Sequence, residues 1–244
     1  MAKDLWGSPI ARVVSGAAPA RPWTTVARKL SKALFALSLV GLSQRVLASI
    51  DLTISEAGKK IGSARYEALL LPSHGRQTTL VMRFTVGARA GTVVSESEAV
   101  DSLGRQLEAS FKVQRGSNLY LQATATFARN GDASVKVTAG GRTRSRTLPA
   151  PKTTSRRDLS EFWFLKRTPP VGTWVRYEHL TLATMKWEPV RTTFVGRKSV
   201  SMHGRSVLAN KMTQSVADAT EVFWLDDEGM PLVIETDKTR LERS

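Results

Sequence analysis

Hydrophobic and polar residues alternate along most of this chain. Gln77–Val86 carries Leu80, Met82 and Phe84 at every second position. Gln106–Gln114 carries Leu107, Ala109, Phe111 and Val113, and Asn118–Ala128 carries Leu119, Leu121, Ala123, Ala125 and Phe127 in the same way. A period of two is that of a β-strand with one face on a core and the other in water. The same reading predicts strands at Leu52–Ala57, Ile61–Leu71, Thr92–Val100, Ser134–Ala139 and Arg142–Leu148. Later it predicts Thr173–Ala183, Met185–Val195, Arg205–Ser215, Thr220–Leu225 and Pro231–Asp237.

Short polar or glycine-bearing stretches separate these runs. Asn130-Gly131-Asp132 is the strongest hairpin signal, and Gly140-Gly141 marks a second tight turn. In Glu221–Asp237 two β-runs flank the acidic turn Asp226-Asp227-Glu228-Gly229, where aspartates can bond the turn backbone and glycine can take a positive φ. Pro149–Arg157 breaks the alternation. Asp158-Leu159-Ser160-Glu161 then reads as a capping box, with Leu159, Phe162 and Trp163 on one face of a short helix over 158–166. Thr168-Pro169-Pro170 ends it.

Short strands at this spacing, with no strand–helix–strand alternation, predict an all-β fold with one short helix. The expected architecture is a strongly curved antiparallel sheet of about a dozen strands, a half-barrel or open barrel. One domain spans 49–237, with halves 49–148 and 168–237 joined by 149–167. Residues 238–244 read as a frayed charged tail.

Ahead of the strands, Arg28-Lys29-Leu30-Ser31-Lys32 precedes the apolar run Ala33–Leu42, and Val46-Leu47-Ala48 follows. This is the order of a signal peptide, with cleavage expected after Ala48, at the end of a long basic lead over 1–48. The run is too short to span a bilayer, so an exported protein, periplasmic or extracellular, is expected rather than an integral membrane protein.

Composition narrows the chemistry further. The 244 residues include no cysteine, which excludes disulfides, thiolate metal sites and cysteine nucleophiles, and only three histidines. The formal charge is +15; without residues 1–48 it is still +9, which favours an anionic partner. Export separates the protein from nucleic acid.

The order of parts also carries a resemblance. A leader precedes Gly58–Tyr66, where a first hairpin returns as a long strand; consecutive hairpins follow, one with Asp101-Ser102-Leu103-Gly104. After the polar break come Val171-Gly172-Thr173-Trp174 and Trp224–Pro231. Over roughly 50–237 the chain resembles exported bacterial half-barrel proteins of unknown function, similar in fold to the LolA/LolB lipoprotein carriers. The resemblance implies a curved sheet wrapped round a short helix, with acyl chains held between them; Asp158–Lys166 would be that helix. The lipid-anchor cysteine of the LolB type is absent.

The candidate ligand-binding residues are the aromatics Phe162, Trp163, Trp174, Trp187 and Trp224, which can line a cavity in a curved sheet or fill its core. Arg142, Arg144 and Arg146, spaced by two, share one strand face, with Arg156 and Arg157 in the break. They can receive anionic groups of headgroups or envelope polymers, or form a solvated face that blunts an edge. Glu96 and Glu98 also share a strand face, as either a carboxylate pair for hydrolysis or a solvated face. No Gly-x-Ser-x-Gly, His-Glu-x-x-His or glycine-rich phosphate loop occurs, so no catalytic residue, metal or cofactor is assigned. The expected function is an exported envelope binding protein for a lipid-like ligand. The alternative is an accessory protein with a filled core that joins a periplasmic assembly through an envelope protein partner.

Overall fold

The computed structural model describes residues 45–71, 74–152, 167–216 and 219–244. Their strands are β1 Arg45–Glu56, β2 Lys59–Leu70, β3 Arg76–Phe84, β4 Thr92–Val100, β5 Gln106–Arg115, β6 Asn118–Phe127, β7 Ala133–Ala139 and β8 Arg142–Leu148. The second half holds β9 Trp174–Thr181, β10 Lys186–Met202, β11 Arg205–Val216, β12 Ala219–Leu225, β13 Pro231–Glu235 and β14 Thr239–Arg243. All fourteen belong to one antiparallel, unclosed sheet in the order β8-β7-β6-β5-β4-β3-β2-β1-β14-β13-β12-β11-β10-β9. The expected all-β class and open, curved antiparallel sheet are thus present. The only helix among the described residues is a single 3-10 turn at Gly87–Arg89; the helix expected over 158–166 lies outside them, as do residues 1–44 of the leader.

The alternation read in the sequence becomes the two faces of this sheet. Leu52, Ile54, Ala64, Met82, Val94, Phe111, Ala123, Val135 and Leu241 are buried in one continuous core. The register carries that inward face across strands: Tyr66, Leu80, Glu96, Phe111, Ala123, Val137 and Arg144 stand opposite one another in sequence from β2 to β8. Residues opposite in an antiparallel pair point to the same side. One carboxyl therefore sits in an otherwise apolar inward row that ends in an exposed arginine.

The chain end corrects the sequence reading. The residues expected as a frayed tail form β14, which pairs with β13 on one side and β1 on the other. Thr239 and Leu241 are buried, while Arg240 is paired with Glu235 and Glu242, and Arg243 with Asp226. The pattern Thr-Arg-Leu-Glu-Arg hides its strand character because its outward positions carry charges that are neutralised by neighbouring strands.

A further difference concerns the second half. The run expected to stop at Gly196 continues to Met202, because Gly196 is absorbed as a bulge opposite Lys211. Its φ of 102° is a backbone region that L side chains rarely adopt, and an added Cβ would meet Val171 Cγ2 at 2.9 Å. Beyond the bulge the β10–β11 hairpin reaches β14. His203 N–H donates to Glu242 Oε1 at 2.8 Å, and an Arg240 guanidinium N–H donates to the Ser201 carbonyl. Beneath it Val200, Met202, Ala209, Trp224, Leu232 and Val233 form a second small core.

The two halves meet at the tip of the β9–β10 hairpin. Leu180 and Trp187 stand opposite each other on one face, and Trp187 meets Phe127 of β6 edge-to-face at 6.0 Å. On its other face Thr181, Glu188, Val190 and Thr192 are buried as well. The tip is therefore covered on both sides. Further from the tip, Arg191 and Trp174 on the first of these faces are exposed. Trp187 Nε1–H donates to the Pro149 carbonyl at 2.9 Å, which joins β10 to the end of β8.

Candidate functional site

A cleft of about 780 Å³ lies between the halves. Its apolar wall includes Tyr66, Leu80, Phe127, Leu182, Trp187 and Phe223. These come from β2, β3 and β6 on one side and from the β9–β10 hairpin and β12 on the other, so the cleft exists only because the sheet curls.

A polar stripe runs through this apolar lining. Val94, Glu96 and Glu98 occupy successive inward positions of β4. Glu98 Oε1 lies 3.4 Å from His179 Nδ1 on β9. From the other half come Glu221 on β12 and Gln214 on β11, which are opposite each other, and Thr192 Oγ1–H donates to Gln214 Oε1 at 3.3 Å. Leu180 N–H of the edge strand β9 donates to Gln106 Oε1 at 3.1 Å, while Gln106 Nε2 is buried with no hydrogen-bond partner among the described residues.

Glu96 is the electrostatic centre of this stripe. It is flanked across the sheet by Leu80 and Phe111. Enclosure by protein pushes its pKa up to about 8, and the charges of Glu98 and then Glu221 push in the same direction. Glu96 and Glu221 both line the cleft, so β12 faces β4 across it. At neutral pH Glu96 is therefore mainly protonated and able to donate a hydrogen bond. At the cleft margin Asp101 behaves in the opposite way. Burial would raise its pKa, but hydrogen bonds from Arg105 and Leu103 and the Arg105 charge outweigh it, and the carboxyl is held low.

A protonated carboxyl beside carboxylates can donate to one atom of a bound group while its neighbours accept from another. Such a site suits a hydroxyl or amine set at the end of an apolar body. Among the described residues no cluster of three or more His, Asp or Glu is placed to hold a metal ion. No helix among them is long and apolar enough to cross a membrane.

No family model matches the chain, and no curated protein matches it. Among solved structures it is similar to the crystal structure of a beta-barrel-like protein of domain of unknown function DUF1849 from Brucella abortus. The TM-score is 0.53 at 13% identity, over 81% of this chain and 94% of that one. The fold is that of a bacterial beta-barrel-like protein of unknown function. At such identity the likeness speaks for the fold alone.

The structure gathers only part of the aromatic set into the cleft. Trp187 lines it. Trp174 is half exposed on the far part of the β9–β10 pair, with Arg191 over its ring at 4.7 Å. The register sets Trp174 opposite Thr193 and Trp187 opposite Leu180, so the two indoles are not cross-strand neighbours. Trp224 is buried on the opposite face of the sheet; its Nε1–H donates to Glu235 Oε2 at 2.9 Å and Lys211 Nζ lies over its ring. Phe162 and Trp163 lie outside the described residues, as do Arg156 and Arg157. Arg142, Arg144 and Arg146 are exposed on β8 opposite Ala139, Val137 and Val135, which puts them on the inward side of the sheet's open edge.

Sequence reasoning set Glu96, Glu98 and His179 aside and passed over Glu221 and Gln106. The signal was present in the alternation. Glu96 shares parity with buried Val94, and Glu221 with buried Phe223 and Leu225. A carboxylate at an inward position is a costly placement that calls for a partner or a purpose.

Proposed function

We propose that this protein is an exported bacterial envelope protein that holds an amphiphilic, lipid-like ligand between the halves of its curved sheet. The observation that carries the reading is the cleft itself: a volume suited to a small ligand, an apolar wall drawn from both halves, and a few convergent polar groups around Glu96. The apolar body of the ligand lies against Leu80, Phe127, Trp187 and Phe223. Where the ligand meets Glu96, Glu98 and Glu221 its polar end is hydroxyl- or amine-bearing; Arg76, Arg105 and Arg129 line the same cleft. Acyl chains held in a curved sheet would make this a functional analogue of the LolA/LolB carriers. The leader pattern before Ala48 supports export.

Native mass spectrometry of protein prepared from a bacterial envelope tests the reading. Co-purification of an amphiphile, displaced by a fluorescent fatty amine more readily than by a fatty acid of equal length, is the expected result. Recovery of protein without any bound amphiphile, together with no uptake of either probe, would overturn it.

A further inference from the structure

The hairpins of the first half end in a ridge that the cleft does not involve. In an antiparallel meander every second turn falls at the same end of the sheet. Here those turns are the β1–β2, β3–β4, β5–β6 and β7–β8 connections. The first three are also tied together. Arg89 of the β3–β4 loop bonds Glu56 at the β1–β2 hairpin at 2.7 Å, and Gly116 N–H of the β5–β6 turn donates to the Gly91 carbonyl at 3.3 Å.

The charge on this ridge is one-sided. Over residues 56–60, 85–91, 115–120 and 139–142 there are five cations, Lys59, Lys60, Arg89, Arg115 and Arg142, and one carboxylate, Glu56, which Arg89 engages. At the opposite end the β4–β5 and β6–β7 turns are balanced: Asp101 with Arg105, and Arg129 with Asp132. Between the cations of the ridge stand Val86, 55% exposed, Leu119, 38% exposed, and Tyr120, 54% exposed. Protruding apolar and aromatic side chains among lysines and arginines that outnumber the carboxylate five to one match the interface of an anionic bilayer. There the cations meet headgroup charge, and Leu119 and Tyr120 reach the acyl boundary.

We infer that this hairpin ridge is a docking surface for an anionic lipid bilayer. It uses residues apart from the cleft, so it stands or falls independently of the ligand reading. A purely polyanionic partner would use the cations and leave Val86, Leu119 and Tyr120 without a role.

Co-sedimentation of the whole protein with vesicles tests this. One set is phosphatidylcholine alone; in the other, phosphatidylglycerol replaces about a third of it. The protein should sediment with the anionic vesicles only, and less so as salt rises. Charge reversal at Lys59, Lys60, Arg115 and Arg142 together should abolish sedimentation. Leu119→Ser with Tyr120→Ser should lower vesicle affinity about tenfold while leaving retention on heparin beads unchanged. All these positions are exposed, and unchanged circular dichroism and thermal midpoint identify folded variants. Failure to bind anionic vesicles at low salt, or equal binding to both vesicle types, would overturn the inference. So would full vesicle binding by the Leu119/Tyr120 double variant, which would leave a polyanion site only.

Discussion

The amide of Leu180 donates to the side-chain oxygen of Gln106 at 3.1 Å, across 74 residues of chain. Leu180 lies on the edge strand β9, and Gln106 begins β5 in the other half. An edge strand normally leaves such amides to water. Here a side chain from the opposite half takes one of them, and with Trp187 on Pro149 it fastens the curl that makes the cleft.

Replacing Gln106 with Leu should therefore loosen the join between halves. The cost should be about 1–3 kcal/mol, the usual price of leaving a buried donor unsatisfied. Thermal unfolding gives the stability change, and hydrogen exchange should accelerate selectively at the Leu180 amide. An unchanged exchange rate there would show that the contact does not fasten the hairpin.

Glu96 sets a pH dependence with a definite sign. Its folded pKa, about 8, lies above the unfolded value of 4.5. Between these values the folded state binds the extra proton, so its contribution to stability declines as pH rises from about 4.5 to about 8, and is flat beyond. Glu96→Gln removes the ionisation. The variant should match the parent near pH 4.5 and exceed it progressively up to pH 8, by a few kcal/mol at most. Chemical denaturation at several pH values checks this; a constant difference between the two proteins across that window would contradict a raised Glu96.

The last strand should be indispensable. β14 joins β13 to β1, so deleting residues 239–244 separates the sheet into two pieces, each with a new open edge. The deletion should give unfolded or aggregated protein. The milder Leu241→Ala should lower stability by about 2–5 kcal/mol, as for other fully buried leucines. A truncated chain that unfolds like the parent would refute the central placement of β14.

Gly62 offers a steric test. It is opposite Phe84, and a Cβ there would lie 2.1 Å from the Arg83 carbonyl oxygen, which is backbone and cannot swing aside. Gly62→Ala should destabilise by about 3 kcal/mol, at the upper end of overpacking costs. Gly58→Ala has open space around its Cβ but a φ of +76°. It should cost less, about 1–2 kcal/mol. Paired denaturation curves distinguish steric clash from backbone strain.

Much of the fold was legible because a strand of period two that buries one face writes that face into the sequence. The alternation at Leu80, Met82 and Phe84 and the turn at Asn130-Gly131 are local facts, and they specify an antiparallel, curved, all-β chain whatever lies opposite. Three things were not local. Thr239–Arg243 reads as a tail until Glu235, Asp226 and β1 are beside it. Trp224 reads as a cavity residue until the β10–β11 hairpin bends at Gly196 and reaches β14. Glu96 shares parity with buried Val94, but it reads as a solvated glutamate until the curled sheet encloses it, with Glu98 and then Glu221 adding to the effect. Charge neutralisation, burial and electrostatic coupling belong to pairs of residues far apart in sequence, so only the tertiary structure decided which strand is central, which aromatics meet the cleft and which carboxyl keeps its proton.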